Sequence, residues 1–150
     1  MFPSTTGWPP PRRPSPAGAS AARPRGGEVT MRGLTATQAD DIRKAVQAAE
    51  RRSGLRFGLF IGEPEGSRRH FAERLHAALG DEAADAVVIL VDPVGRALEI
   101  VTGDTARLRL PDSACRLTAM SMATSFSVGD LVGGLLYGIA ALAEQAAARR

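Results

Sequence analysis

Three carboxylates stand at positions where an α/β protein would carry out chemistry. Glu63 and Asp92 each follow a predicted strand, and Asp130 begins the last predicted helix. Sites in open α/β sheets form beyond the carboxyl ends of the strands, and Ca²⁺ takes about 6 to 8 oxygen ligands of this kind. Asp92 also precedes Pro93, which is typical of a turn, and the helix dipole favours an acid such as Asp130 in a first turn. These residues are therefore either ligands of a site or structural residues of a turn and a helix start.

Other side chains offer less chemistry. His70 and His76 are six residues apart on a predicted helix, whereas histidine pairs that bind metals on helices stand at i and i+4, so we expect solvated surface histidines. Cys115 has no histidine or lysine nearby in the sequence and is predicted to be a small buried apolar side chain. Ser121 and Ser125 have no evident base. The sequence contains no P-loop, GxGxxG, GxSxG, HExxH or Cys/His metal spacing.

The stretch 86–103 predicts the centre of the sheet that would position these groups. Residues 86–91 form a continuous apolar run, which is typical of a strand buried on both faces. Turn residues follow at 92–96, where Gly95 tolerates a positive φ, and residues 98–101 then alternate. So short a connection predicts an antiparallel hairpin.

The flanking segments predict the remaining elements. Alternating apolar residues at 55–61 indicate a further strand, parallel to the central one because a helix lies between them. Thr35 and Gln38 form a capping-box pattern at the start of a helix over 36–52, and Gly54 suits its end. The other predicted helices cover 67–79, from a Ser67 cap, 112–124, from an Asp112 cap, and the apolar segment 131–143. These elements predict an α/β fold, a three-layer α/β/α sandwich with a small mixed sheet.

Charge and proline divide the chain into two parts. Residues 1–33 contain seven of the ten prolines and carry five arginines against one glutamate, 5 − 1 = +4, so the rest carries +3 − 4 = −1. We predict a disordered tail over 1–33 and a single domain over 34–150. The basic balance then belongs to the tail, and Met31 is an alternative start of the protein.

The apolar segment 131–143 and the single cysteine indicate where in the cell the protein is located. Residues 131–143 are 13 residues without a charge, whereas a membrane span needs about 20, so we predict a buried helix and no transmembrane segment. One cysteine allows no internal disulfide. This composition fits a cytoplasmic protein, free or peripheral to a membrane.

The order of these motifs resembles the TPM-type domain. The resemblance is carried by IVTG at 100–103, the helix from Asp112 and SFSVGDLVGGL at 125–135. The SGLRF strand and the HFAERLHAALG helix are similar to those of actinobacterial members of unassigned function. TPM-type domains also occur in a thylakoid-lumen phosphatase-like protein, a photosystem-repair protein and a worm receptor-modulating membrane protein. The resemblance covers about residues 36–146 and implies a mixed α/β/α sandwich.

The resemblance also implies a metal site. It places an acidic residue at Asp92 and a Gly-Asp pair at Gly129 and Asp130, where metal-binding carboxylates have been proposed for some relatives. Asp92 and Asp130 are therefore the candidate metal ligands, Ca²⁺ is the candidate cation, and no organic cofactor is expected. Asp104 replaces the aromatic-glycine continuation usual in relatives. This departure counts against transferring a phosphatase activity.

Three hypotheses for function follow. The first is a non-enzymatic accessory or interaction module with an unidentified protein partner. The alternative is a divalent-cation-assisted, phosphatase-like hydrolase that uses Asp92. The third is a weak binder of anionic polymers that acts through the arginine tail, without a specific nucleic acid.

Overall fold

The computed structural model describes residues 29–30 and 33–149, which form a mixed α/β fold. A short 3₁₀ helix, Gly80–Asp85, precedes the central strand. The strands are β1 (Val29–Thr30), β2 (Arg56–Ile61), β3 (Ala86–Asp92) and β4 (Ala97–Thr102). The helices are α1 (Ala36–Ser53), α2 (Arg68–Ala77), α3 (Asp104–Arg109), α4 (Asp112–Ser127) and α5 (Leu131–Ala148).

The sheet is mixed, as the sequence predicts. Its strand order is β1-β2-β3-β4; β1, β2 and β3 run parallel, and β4 is antiparallel to β3. Ile89 in β3 lies between Leu59 of β2 and Ile100 of β4. Every residue of β3 is buried, which confirms that the continuous apolar run is a strand covered on both faces.

One strand corrects the predicted tail. Val29–Thr30 lies within the range 1–33, yet it pairs with β2, with Val29 opposite Leu59. Two residues are too short to show a periodicity, so the sequence pattern could not reveal this strand. The rest of the predicted tail, including Met31, lies outside the described residues.

Helix α1 begins and ends as its sequence predicts. Thr35 Oγ1 accepts a hydrogen bond from Gln38 N, and the Gln38 side chain accepts one from Thr35 N, both at 3.1 Å. Gly54 has a φ of 79° and donates its N–H to Glu50 O. The capping box and the left-handed glycine together fix the length of the helix.

One face of the sheet carries the large core. The alternating residues of β2 and β3 that include Phe57 and Ile89 pack with buried residues of α1, α4 and α5. Helices α4 and α5 approach closely, because a Cβ at Gly138 would meet the Met122 side chain and one at Gly134 would meet Phe126. The fully buried members with the largest side chains are Ile42, Val46, Phe57, Ile61, Val87, Ile89, Leu110, Met122, Leu135, Ile139 and Leu142.

The opposite face carries a smaller core beneath α2. Its buried members are Ala72, Leu90 and Val101, and the partly buried Phe60, Phe71 and Leu75 pack against them. A neighbouring group around Leu79, Ala86 and Val88 also contacts Leu75. Adjacent residues of one strand therefore serve different cores, since side chains alternate between the faces of a strand.

Arg109 joins the ends of two helices that are distant in sequence. Its Nε and Nη2 donate to Ala146 O of α5 at 3.1 and 2.9 Å, and Nη2 also donates to Ser53 O of α1. Carbonyl groups in the last turn of a helix have no partner within the helix. One guanidinium therefore bonds carbonyl groups at the ends of both helices, and Ala146 O also accepts the Arg149 N–H.

The outer edge of β4 is bonded to two arginines. Ile100 O accepts from Arg69 Nη1 at 3.2 Å, and Thr102 O accepts from Arg107 Nη2 at 2.8 Å. The Gly103 N–H bonds to β3, and the Thr102 carbonyl of the same trans peptide points the opposite way. Both carbonyls thus lie on the edge of the sheet that no strand of the described residues adjoins.

Two local predictions need correction. Arg96, with a φ of 53°, takes the left-handed conformation in the β3–β4 turn instead of Gly95. Gly95 is required for a different reason, since a Cβ there would lie 2.5 Å from Asp92 Oδ2. Asp112 is the first residue of α4 and not its cap, which is Pro111 without a side-chain hydrogen bond.

Helix α5 is strongly apolar, and part of it is buried in the large core. Its 18 residues have a mean hydropathy of 1.4, which by length and composition alone is enough to cross a membrane. In the fold, Leu135, Ile139 and Leu142 of this helix are buried in the large core. A helix of this composition is also typical of the core of a globular domain.

Candidate functional site

The first cleft lies at the carboxyl ends of β2 and β3, beside the start of α2. It has a volume of about 530 Å³. The loop after β2 contributes Glu63, Asp92 ends β3, and the Ser67 N-cap starts α2. The lining residues are Glu63, Pro64, Gly66, Ser67, Arg68, Arg69, Asp92 and Glu99. Its position is the one at which parallel α/β sheets form sites.

Asp92 is the most buried charged group of this cleft, at 6% exposed. Its Oδ1 accepts the Gly95 N–H at 3.0 Å, and its Oδ2 lies 3.5 Å from Arg68 Nη1. The hydrogen bond closes the β3–β4 turn, and the ion pair keeps the Arg68 guanidinium beside the end of the strand. Asp92 therefore acts as the turn residue that one sequence interpretation predicted.

Arg69 is the second cation of the first cleft. Its Nε lies 3.0 Å from Glu73 Oε2, one turn along α2, and its Nη1 lies 3.5 Å from Glu99 Oε1 of β4. Nη1 also donates to the carbonyl of Ile100. These bonds fix the guanidinium between the helix and the edge strand.

Asp130 lies apart from the first cleft. Its Oδ1 accepts the Gly133 N–H at 2.9 Å, so it caps α5. A second cleft of about 240 Å³ is lined by Asp92 and by Gly129 and Leu131 on either side of Asp130, but not by Asp130 itself. The two predicted ligands thus border the same region without converging on one point.

The donor set at Asp92 does not fit a calcium ion. Ca²⁺ needs several converging oxygens, and a guanidinium beside Asp92 repels a cation. Within residues 33–149, no group of three or more His, Cys, Asp or Glu side chains is placed to hold a metal.

Cys115 is buried, as predicted. The side chain is 7% exposed, and its Sγ lies 3.7 Å from Leu110 O. Burial, followed by the negative charge of Asp112, raises the pKa of the thiol to about 11. A thiol of this kind is a poor nucleophile at neutral pH.

The two histidines differ from each other. His70 is exposed, as predicted, and donates its backbone N–H to Ser67 Oγ. His76 is partly buried, and its Nε2 has no hydrogen-bond partner among the described residues. The prediction of a solvated surface side chain is wrong for His76, because Leu75 and Leu79 next to it belong to the core on this face.

Sequence reasoning missed Arg68 and Arg69. It considered only acidic residues after each strand, although the Ser67 cap already placed both arginines in the first turn of the helix that follows β2. That position was the available signal, since first-turn residues of such helices face the carboxyl end of the sheet.

The fold and the cleft define a small α/β domain with a polar cleft at the carboxyl ends of its parallel strands. The chain belongs to the DUF5130 family, described as a domain of unknown function, which matches residues 16–143. The match begins within the range predicted as tail. No curated protein matches the chain.

Three solved structures share the fold. The N-terminal domain of a protein from P. gingivalis is 17% identical in sequence and superposes with a TM-score of 0.69. The match covers 85% of this chain and 83% of that one. BA42 from the psychrophilic bacterium Bizionia argentinensis is 19% identical with a TM-score of 0.70, covering 78% and 83%. The N-terminal domain of cg2496 from Corynebacterium glutamicum is 13% identical with a TM-score of 0.62, covering 79% and 78%. Identities this low show the fold alone.

Proposed function

We propose that this protein is a non-enzymatic accessory module that binds a protein partner through the outer face of α4. The observation that carries the proposal is the exposure of three apolar side chains, Leu117 and Met120 on α4 and Val128 at its C-cap, which are 67%, 61% and 79% exposed. Leu117 and Met120 are three residues apart, which places them on one side of the helix, and Val128 follows directly after its last residue. Exposed apolar groups gathered in this way are typical of interaction surfaces.

The engagement of both candidate carboxylates supports a role without hydrolysis. Asp92 already bonds Gly95 N–H and pairs with Arg68, and Asp130 caps α5. A cation-assisted hydrolase would need these oxygens for its metal. The alternative function therefore requires the Asp92–Arg68 pair to open.

The proposal also covers the relationship of this chain to other domains, the number of layers in its fold and its location in the cell. The motif order supports a relationship to TPM-type domains. Helices α1, α4 and α5 pack with one core and α2 with the other, which supports a three-layer α/β/α arrangement. The single cysteine, Cys115, supports a cytoplasmic location.

Site-specific photo-crosslinking in the natural host tests the partner. We expect a crosslinker at Met120 to give an adduct with another protein, and a control at the exposed Arg51 of α1 to give none. A crosslinker at Val128 should lose the adduct in the double variant L117S/M120S. Equal adducts at Met120 and Arg51, no adduct at Met120, or an adduct of two copies of this chain would contradict a distinct partner.

Turnover of p-nitrophenyl phosphate tests the hydrolase alternative. We expect none with Ca²⁺, Mg²⁺ or Mn²⁺, for the protein or for Asp92→Asn. Metal-dependent turnover that disappears in Asp92→Asn would replace the proposal by the alternative function.

A further inference from the structure

Two guanidinium groups in the first cleft keep hydrogen-bond donors available. Among the described residues, Asp92 is the one partner of the Arg68 side chain, through Nη1. Arg69 uses Nε and Nη1, and its Nη2 has no partner within residues 33–149. Guanidinium groups have more N–H donors than these bonds use, and their fork geometry suits carboxylate and phosphate oxygens.

Both guanidiniums are held in place by carboxylates of the sheet. Asp92, at the end of β3, lies beside Arg68, and Glu99 of β4 lies beside Arg69. Both of these carboxylates line the cleft with the arginines. These contacts restrict both side chains, which are 43% and 54% exposed, before a ligand binds, and such preorganisation favours affinity.

The Ser67 hydroxyl adds a third donor from the same wall. Its Oγ accepts the His70 N–H at 3.0 Å, so its own O–H remains able to donate. The backbone N–H groups of Arg68 and Arg69 are in the first turn of α2, where no helical carbonyl precedes them. The helix start therefore supplements the arginines.

Glu63 adds a negative charge, unpaired among the described residues, to the cleft that contains the two arginines. It lines the same space from the loop after β2, and it makes no hydrogen bond or ion pair with any described residue. Two of the three carboxylates are engaged by the two arginines, which leaves the Glu63 charge uncompensated. A simple anion would be repelled by the Glu63 carboxylate. A ligand that carries a hydrogen-bond donor beside its anionic group would instead bind Glu63 through that donor.

The geometry points to a binding site for a small organic phosphate that also carries an ammonium or hydroxyl group. The phosphate contacts Arg68, Arg69 and Ser67, and the donor group contacts Glu63. The volume of about 530 Å³ lies within the range of small-molecule sites, roughly 300 to 1,000 Å³. This site is separate from the outer face of α4, so it stands without the proposed partner.

Isothermal titration calorimetry of the full chain tests the site with O-phosphoethanolamine, inorganic phosphate and ethanolamine. We expect O-phosphoethanolamine to bind most tightly. Arg68→Gln should raise its Kd at least about tenfold, as expected for a charge-assisted bond. Glu63→Gln should weaken O-phosphoethanolamine severalfold and leave inorganic phosphate equal or tighter.

Two further variants keep the test decisive. Arg74→Gln is the matched control, because Arg74 is on the same helix over the Phe71 ring and does not line the cleft; it should bind as the unaltered protein does. If Arg68→Gln fails to fold, Arg69→Gln replaces it, since its partners are more exposed than Asp92.

The results that would overturn the site are specific. They are absence of O-phosphoethanolamine binding, an equal loss in Arg74→Gln, unchanged binding in Arg69→Gln, or inorganic phosphate binding as tightly as O-phosphoethanolamine. None of them bears on crosslinking from Met120 or on turnover of p-nitrophenyl phosphate. The site and the proposed function therefore fail separately.

Discussion

The two faces of the sheet differ in what they cover. Ile89 points into the large core, which three long helices close, whereas its neighbour Leu90 points into the small core beneath α2. The first cleft opens at the start of that same helix α2. The large face thus supplies most of the buried apolar surface, and the small face presents polar groups.

This division separates stability from binding. Apolar burial is the main favourable contribution to folding, so the face with the larger core dominates the free energy of unfolding. The face with less apolar packing can carry charged side chains such as Arg69, which are only partly buried. Substitutions on the two faces should therefore differ in the property that they change.

Replacing the two neighbours in β3 gives the largest expected effects. Ile89→Ala should lower the free energy of unfolding by about 4 kcal/mol and Leu90→Ala by about 2 to 3 kcal/mol, because a cavity costs less where neighbours can relax. Phe60, Phe71 and Leu75 around Leu90 are only partly buried. Urea denaturation measures both values, and a larger loss for Leu90→Ala would reverse the comparison.

Removing the guanidinium that joins α1 and α5 should have the next largest effect. Arg109→Met keeps the apolar stem but leaves the carbonyls of Ser53 and Ala146 without this donor. We expect a loss of about 1.5 to 3 kcal/mol, the range for hydrogen bonds to charged groups. Urea denaturation again provides the measurement, with Arg51→Met, at an exposed position of α1, as control. Equal losses in the two variants would show that the helix ends do not depend on Arg109.

A substitution in the cleft should change stability little. The side chain of Arg69 is 54% exposed, and ion pairs of this exposure contribute at most about 1 kcal/mol. Arg69→Gln should therefore unfold within about 1 kcal/mol of the unaltered protein in urea, while it loses ligand affinity. A loss as large as that of Ile89→Ala would mean that the cleft holds the fold together.

The ion pair between Arg52 of α1 and Glu144 of α5 should have the smallest effect on stability. This effect is detected by varying the pH. A hydrogen bond from Arg52 and the charge of Arg52 lower the pKa of Glu144. Because the folded pKa is depressed, the contribution is complete above the unfolded pKa of about 4.3 and is lost as pH falls through the folded pKa. The thermal midpoints of the protein and of Glu144→Gln should differ slightly at pH 7 and converge in acid. A difference that stays constant with pH would exclude this pair as its source.

The sequence allowed the central elements to be predicted because their signals are local. The capping box at Thr35, the glycine at Gly54 and the apolar run of β3 each act within a few residues. The hairpin between β3 and β4 followed from its short connection, and the parallel pairing of β2 with β3 from the helix between them. The mixed sheet was therefore predictable.

Features that depend on distant contacts were not predictable. Val29–Thr30 is held by pairing with β2 and has no pattern of its own. Asp92 was correctly placed at a strand end, but its engagement by Arg68 depends on how α2 docks. Asp130 was placed at the correct helix start, and only the folded chain shows that its side chain is used as a cap.

The bonds from Arg69 and Arg107 to the edge of β4 have a consequence for solubility. An edge strand with free carbonyls is a template on which another chain can add its own strand and begin to aggregate. Here the carbonyls of Ile100 and Thr102 are already occupied by guanidinium groups. A second chain would have to displace two charged donors to extend the sheet. Growth of an intermolecular sheet from this side is therefore suppressed by Arg107 and by Arg69, which also lines the cleft.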